Sequence, residues 1–228
     1  MSAGDVAANL AAVRARVDEA CRRAGRDPAE VTLLAVSKVH GPEAIRAAYE
    51  AGQRVFGENY VQELVEKAEA LADLPDLRFR FIGHLQRNKA KYLTRLGARL
   101  AAIDTVDSAR LAKELAKRAA GEGLVLPVLL QVNVGREAQK SGVLPEAVEE
   151  LVEAVRAHES LALRGLMTVP PADEDPRPHF RRLRELAEAH ALPELSMGMS
   201  GDLEVAVEEG ATMVRVGTAI FGPRPSPA

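Results

Sequence analysis

Apolar residues recur along the chain with two periods, and the period switches repeatedly. Val6, Leu10, Val13 and Val17 recur at helical spacing, and Gly25 follows as a stop signal. After this leading helix, the pattern predicts eight short apolar strands, each followed by a helical or turn segment. The predicted strands cover residues 31–38, 54–59, 78–83, 100–106, 127–134, 161–169, 194–200 and 213–222.

Several of these strands are apolar on consecutive positions, as in residues 33–36 and 127–132, which is typical of parallel strands covered on both faces. Eight strand–helix units in roughly 200 residues favour one (β/α)8 barrel. The alternative is a doubly wound open sheet, whose GxGxxG fingerprint usually follows the first strand. That turn reads SKVHGPE and lacks the fingerprint. We therefore predict an α/β fold, a single barrel domain over residues 1–228 with an extra N-terminal helix.

Composition and charge narrow the class of protein. The chain has 228 residues, of which 47% are hydrophobic and 28% charged, as in ordinary soluble globular proteins. The net charge is −3 with both signs dispersed, so nucleic acid or an anionic membrane would find no basic surface. No apolar run approaches the length of about 18 residues that a membrane span needs. The N-terminus does not resemble a secretory signal, and Cys21 is the one cysteine, so we expect a cytoplasmic protein.

The loops after the seventh and eighth strands are the first candidate for chemistry. Active-site groups of such barrels sit at the carboxyl ends of the strands, and these two loops commonly bind phosphate. Here they carry hydroxyl donors, Ser200 and Thr218, beside Gly201 and Gly217, which allow close approach of the backbone. The alternative is that these residues only cap the following helices. Because both loops show the pattern, we predict a phosphate site.

Arg215 lies within the eighth predicted strand, two residues before Gly217. Side-chain alternation places Val214 and Val216 towards the helices, so Arg215 points into the barrel. A buried guanidinium must find acceptors. Spacing leaves two partners open, namely a barrel carboxylate such as Asp104 or a bound ligand.

Lys38 ends the first predicted strand, VTLLAVSK. It is either a flank reaching into water or a functional amine. If it points inward with Leu34 and Val36, the amine lies at the barrel mouth, where burial lowers the pKa of a lysine. A neutral amine can attack a carbonyl and form a Schiff base. A lysine, a phosphate site and an arginine together fit a phosphorylated aldehyde or ketone.

At this point the sequence resembles a known family. The segments LLAVSK, GQRVFGENYVQE, FRFIGHLQRNK, IDTVDS, QVNV with KSG after it, LRGLMTVP and LSMGMSGDLEVAVEEGATMVRVGTAIFG occur in the order found in pyridoxal phosphate homeostasis proteins. These are cytosolic, single-domain relatives of the alanine racemase barrel, also called fold type III of the enzymes that use pyridoxal 5'-phosphate (PLP). The similarity runs from about Val31 to Gly222.

The resemblance implies a role in cofactor binding for each of several residues. Lys38 would carry PLP covalently as an internal aldimine, and Arg215 would face the pyridine nitrogen. The phosphate would lie against Ser200, Gly217 and Thr218. The resemblance also places the Met199 backbone near the phosphate, Asn59 beside the ring and Lys140 near the ring hydroxyl. It implies no metal site.

The same residues argue against efficient catalysis with PLP. Arginine stays protonated and leaves the pyridine nitrogen unprotonated, which makes the ring a poorer electron sink. Related racemases use a tyrosine from an extra C-terminal β domain as second base. None of Tyr49, Tyr60 and Tyr92 lies in a segment that replaces that domain.

We therefore expect a PLP-binding protein that stores, buffers or delivers the cofactor inside the cell, rather than an enzyme. PLP-requiring apo-enzymes are the expected recipients, and we expect a monomer. Two enzyme alternatives remain open from the sequence. One is an amino-acid racemase or another PLP enzyme of the same fold, and the other is a Schiff-base aldolase that acts on a phosphorylated sugar.

Overall fold

The computed structural model describes residues 2–223 as a closed barrel of parallel strands. The strands pair in chain order, and β1 pairs with β8 to close the barrel. The prediction of a (β/α)8 barrel is thus confirmed, and the open-sheet alternative is wrong. The strands are β1 (Thr32–Val36), β2 (Val55–Glu58), β3 (Arg78–Phe81), β4 (Leu100–Val106), β5 (Leu126–Gln131), β6 (Leu161–Met167), β7 (Glu194–Ser196) and β8 (Met213–Val216).

Helices alternate with these strands and cover the outside of the barrel. They are α1 (Ala3–Arg23), α2 (Pro42–Glu50), α3 (Val61–Ala70), α4 (Ala90–Thr94), α5 (Ala109–Gly121), α6 (Val148–Arg156), α7 (Pro176–Ala189), α8 (Leu203–Glu208) and α9 (Thr218–Phe221). Short 3₁₀ turns precede β1, α4, β4 and α6. Within residues 2–223, none of these helices is long and apolar enough to cross a membrane.

The last two strands are shorter than the sequence predicted. The apolar run 213–222 was expected to be one strand, but the strand ends at Val216 and α9 follows. Gly217 has φ −116° and ψ −75°, and its carbonyl accepts from the N–H groups of Ile220 and Phe221, both at 2.9 Å. A continuous apolar run has no periodicity that separates a strand from a helix, so the change of direction at Gly217 could not be read from it. Similarly, β7 ends at Ser196, and an irregular segment over residues 197–199 and a turn over residues 200–202 lead to α8.

The N-terminal helix α1 lies on the outside of the barrel against α2, α8 and α9. Ser2 and Asp5 form a capping box at its start. Its buried face includes the four valine and leucine residues of the predicted stripe. Next to this face, the guanidinium of Arg16 pairs with Glu204 of α8 at 2.7 Å and donates to the carbonyl oxygen of Ser200 at 2.9 Å. The extra helix therefore contacts the loop between β7 and α8.

An ion-pair cluster fills part of the barrel interior. Arg80 of β3 lies 2.8 Å from Asp104 of β4 and 3.2 Å from Glu194 of β7. Strands three and seven lie on different sides of the barrel, so these contacts cross its inside. Burial raises the pKa of Asp104, and the Arg80 guanidinium opposes that rise. The carboxylate considered as a partner for Arg215 is thus paired with Arg80.

Candidate functional site

Seven of the eight predicted site residues line one cavity at the carboxyl ends of the strands. Its volume is about 340 Å³, which lies in the range of small-molecule pockets. Apolar side chains complete the wall, among them Val36, Ile82, Met167 and Val169. The predicted residues in the lining are Lys38, Asn59, Met199, Ser200, Arg215, Gly217 and Thr218.

Lys38 lies two residues after the end of β1 and lines this cavity together with Val36. Ser37, between them, faces the opposite way and is fully buried, with its hydroxyl donating to Glu58 Oε1 at 2.6 Å. The alternation of the strand therefore continues through Ser37 to Lys38. The amine that the sequence singled out is placed at the barrel mouth, as an inward-facing lysine requires.

Arg215 is buried in the floor of the cavity and is held by two neutral acceptors. Its Nη1 donates to Ser196 Oγ at 2.9 Å, and its Nη2 donates to the carbonyl oxygen of Thr168 at 2.7 Å. Burial lowers the pKa of Arg215 to about 10, against the effect of Asp104 and Asp202, so the guanidinium stays charged at neutral pH. A guanidinium has five N–H donors, and these two bonds leave others for a ligand in the cavity.

Ser200 and Gly201 before α8, and Gly217 and Thr218 at the start of α9, all line this cavity. The first N–H groups of a helix have no intrahelical acceptor, so these short turns present donors as well as hydroxyl groups. The first loop is fixed by Asp202, whose Oδ1 accepts from the N–H of Met199 at 2.6 Å. The donor set therefore suits an anionic group such as a phosphate ester.

Asn59 follows β2 and is brought into the cavity by a close backbone contact. A Cβ atom at Gly83 would lie 1.9 Å from the carbonyl oxygen of Asn59, so only glycine fits there. The Oδ1 atom of Asn59 is buried and has no hydrogen-bond partner among residues 2–223. A buried amide oxygen without a partner is costly, which fits a group that binds a ligand. Gly83 belongs to the segment FRFIGHLQRNK, and this close contact is a physical role for its glycine.

Lys140 is the one predicted site residue outside this cavity. It lines an adjoining space of about 240 Å³ that shares Asn59 and Met167 with the first. Its Nζ lies 2.5 Å from Glu137 Oε2 and donates to the carbonyl oxygen of Pro170 at 2.9 Å. Lys140 was expected near the cofactor ring. The structure places its amine beside the cavity, where it is paired with Glu137.

Among the residues that line the 340 Å³ cavity, the titratable side chains are Lys38 and Arg215. The three tyrosines lie elsewhere: Tyr60 is exposed at the start of α3, Tyr49 packs under Arg54, and Tyr92 packs near Lys89 and Lys91. Ser196 was not identified from the sequence as a hydrogen-bond acceptor of Arg215. In the sequence, Ser196 is only a hydroxyl-bearing residue within an apolar strand, and this does not indicate that it accepts a hydrogen bond from Arg215.

Comparison with known proteins identifies the family to which this barrel belongs. Residues 8–225 match the family model described as alanine racemase, N-terminal domain, which defines the class of barrel. An alanine racemase from Bartonella henselae shares that fold, with a TM-score of 0.75 at 15% identity, and this chain spans 62% of it. A curated relative from Aquifex aeolicus (strain VF5), named pyridoxal phosphate homeostasis protein, is 49% identical over 224 residues, 94% of this chain and 96% of the relative. The chain belongs to the pyridoxal phosphate homeostasis protein family, as its motifs predicted.

A solved relative carries the cofactor itself. The structure of PipY from Synechococcus elongatus PCC7942 with PLP bound matches this chain with a TM-score of 0.82 at 37% identity. The match covers 95% of this chain and 100% of the PipY chain.

Proposed function

We propose that this chain binds PLP in the cavity at the barrel mouth and takes part in intracellular PLP homeostasis. The observation that carries the proposal is the meeting of a lysine, a buried arginine and two hydroxyl-bearing loops on one cavity of about 340 Å³. An amine, a cation and a set of anion donors are complementary to the aldehyde, the pyridine nitrogen and the phosphate of PLP. The PLP-bound structure of PipY, at 37% identity, supports the same ligand.

The covalent part of the proposal concerns Lys38. In its neutral form, the amine of Lys38 would supply the nucleophile for the aldehyde carbon of PLP, with a C=N bond formed and water released. The loops around Ser200 and Thr218 would hold the phosphate, and Arg215 would face the pyridine nitrogen. The amide oxygen of Asn59, which has no hydrogen-bond partner among the described residues, would be available to the ring.

We propose storage, buffering or delivery of PLP, with PLP-requiring apo-enzymes in the cytoplasm as recipients and a monomer as the working unit. Two features of the cavity support a carrier over an enzyme. The guanidinium of Arg215 would leave the pyridine nitrogen unprotonated, which would weaken the ring as an electron sink. Apart from Lys38, no described residue in the cavity lining offers a side chain that could act as a second base at neutral pH.

An absorption titration tests binding directly. Purified protein mixed with PLP is expected to develop the visible band of an imine conjugated to the ring, saturating at one equivalent. The loaded protein is then incubated with single amino-acid enantiomers while chirality is followed. Turnover at about 1 per second or faster would favour the racemase alternative over the carrier. A chain that stays colourless with PLP but is trapped by borohydride with a sugar phosphate would favour the aldolase.

A further inference from the structure

The residue before Lys38 is fixed by charged groups outside the cavity. The hydroxyl of Ser37 donates to Glu58 Oε1 at 2.6 Å, and the carbonyl oxygen of Ser37 accepts from Lys67 Nζ at 2.9 Å. Ser37 and Glu58 are fully buried, and Lys67 is nearly so. Water therefore does not compete for these bonds, which makes them strong constraints on the backbone at Lys38.

The residue after Lys38 is held by the same cluster. The N–H of Val39 donates to Glu63 Oε2 at 2.9 Å, and that oxygen also accepts from Lys67 Nζ at 3.0 Å. Val39 has φ 61°, a left-handed conformation that a β-branched side chain rarely adopts. Such conformations persist only where surrounding contacts impose them. The bond to Glu63 is a contact of this kind.

The ammonium of Lys67 connects the groups that hold Ser37 with the carboxylate that holds Val39. Its three N–H donors are directed at Ser37 O, Glu63 Oε2 and, at 2.8 Å, Glu58 Oε1. Lys67 and Glu63 lie one turn apart on α3, so the helix fixes their separation. None of these three charged side chains lines the 340 Å³ cavity.

We infer that Lys67 and Glu63 are positioning residues that hold the backbone on both sides of Lys38 and so direct its side chain into the cavity. The inference rests on the proposed function, in which Lys38 forms the Schiff base. It adds that the geometry of the reacting amine is set from α3, behind β1 and β2, rather than by groups that touch the ligand.

Glu63→Ala in the full chain is the primary test, because Glu63 is partly exposed and its removal leaves the buried Lys67–Glu58 pair intact. In the ligand-free protein, hydrogen exchange of the Val39 amide is expected to accelerate. With PLP, Schiff-base formation is expected to slow at least about tenfold, since a misplacement of about 1 Å can reduce rates by a factor of up to about 100.

Two matched variants separate positioning from general damage. Glu63→Gln keeps an oxygen that accepts from Val39 and is expected to restore most of the rate and the amide protection. Glu66→Ala removes an exposed carboxylate from the same helix and is expected to behave as wild type. The double variant Lys67→Met with Glu58→Gln avoids leaving one buried charge unpaired, and it should show the same slow imine formation as Glu63→Ala.

Wild-type imine formation together with wild-type protection of Val39 in Glu63→Ala would overturn the inference and leave the proposed function standing. A wild-type chain that forms no imine with PLP would overturn the proposed function and this inference with it. Equal slowing in Glu66→Ala would also count against a positioning role.

Discussion

The guanidinium of Arg16 donates a hydrogen bond of 2.9 Å to the carbonyl oxygen of Ser200, which joins the N-terminal helix to the loop proposed to hold phosphate. The same guanidinium forms two bonds with Glu204, at 2.7 and 3.0 Å, at the start of α8. The helix that precedes the barrel thus has a contact through which it can influence the site.

Arg16→Ala is therefore expected to weaken PLP binding without unfolding the barrel. The side chain is partly exposed, so we expect a loss of about 1 kcal/mol, or roughly fivefold in Kd. Fluorescence or absorption titration measures the change. Arg22→Ala on the same helix is the control, because the ion pair of Arg22 within residues 2–223 is with exposed Glu19, away from the site. Equal affinity of Arg16→Ala and wild type would show that α1 does not support the loop.

Lys38→Ala distinguishes covalent attachment of PLP to the lysine from non-covalent binding of PLP through its phosphate. The variant is expected to lose the visible imine band, because no other described lysine lines the cavity. It should still bind PLP more weakly through the Ser200 and Thr218 loops, as equilibrium dialysis would measure. An unchanged imine band in Lys38→Ala would assign the linkage to another amine.

Thr218→Val removes one hydroxyl donor from the cavity and preserves side-chain volume. Because several donors would share the phosphate in the proposed site, we expect a loss of about 1 kcal/mol, or roughly fivefold in Kd, and little change in stability. Thr32→Val is the matched control, since Thr32 is exposed at the opposite end of the barrel. If the two variants bind PLP equally well, the phosphate has been placed at the wrong loop.

Glu209, at the end of α8, forms ion pairs with α7, and we expect these pairs to make the free energy of unfolding depend on pH. Its carboxylate lies 2.9 Å from Arg177 and 3.2 Å from Arg181. Burial raises the pKa of Glu209, but the hydrogen bonds from these arginines outweigh it, so the net shift is downward from 4.5. An acid with a lowered folded pKa stabilises the protein above its unfolded pKa, and this is lost as pH falls through the folded value.

Glu209→Gln should accordingly lower the free energy of unfolding at pH 7 by about 1 kcal/mol, allowing for the half-exposed arginines. The difference from wild type should shrink as pH falls below 4.5. Urea denaturation at several pH values measures both. A difference that stays constant with pH would mean that ionisation of Glu209 contributes nothing.

The sequence predicted the barrel because the hydrophobic period of each element separates eight strand–helix units, and because the turn after the first strand lacks the GxGxxG fingerprint of an open sheet. It also placed Lys38, Arg215 and Thr218 at one cavity. Side-chain alternation within a strand is a local property, and in a barrel all strands have their carboxyl ends on the same side. It could not predict that Asp104 pairs with Arg80, because that contact depends on which side chains meet inside the closed barrel. Nor could it predict the burial of Lys67, since a lysine between Leu64 and Ala68 on an amphipathic helix is normally solvated.

Borohydride reduction of the PLP-loaded protein, followed by peptide mass mapping, tests the central claim most directly. Reduction converts the C=N bond into a stable amine, so the modified lysine carries the mass of the phosphopyridoxyl group. We predict one modified peptide, containing Lys38, at close to full occupancy. An adduct on Lys140, on Lys67 or on several surface lysines without preference for Lys38 would contradict the proposal.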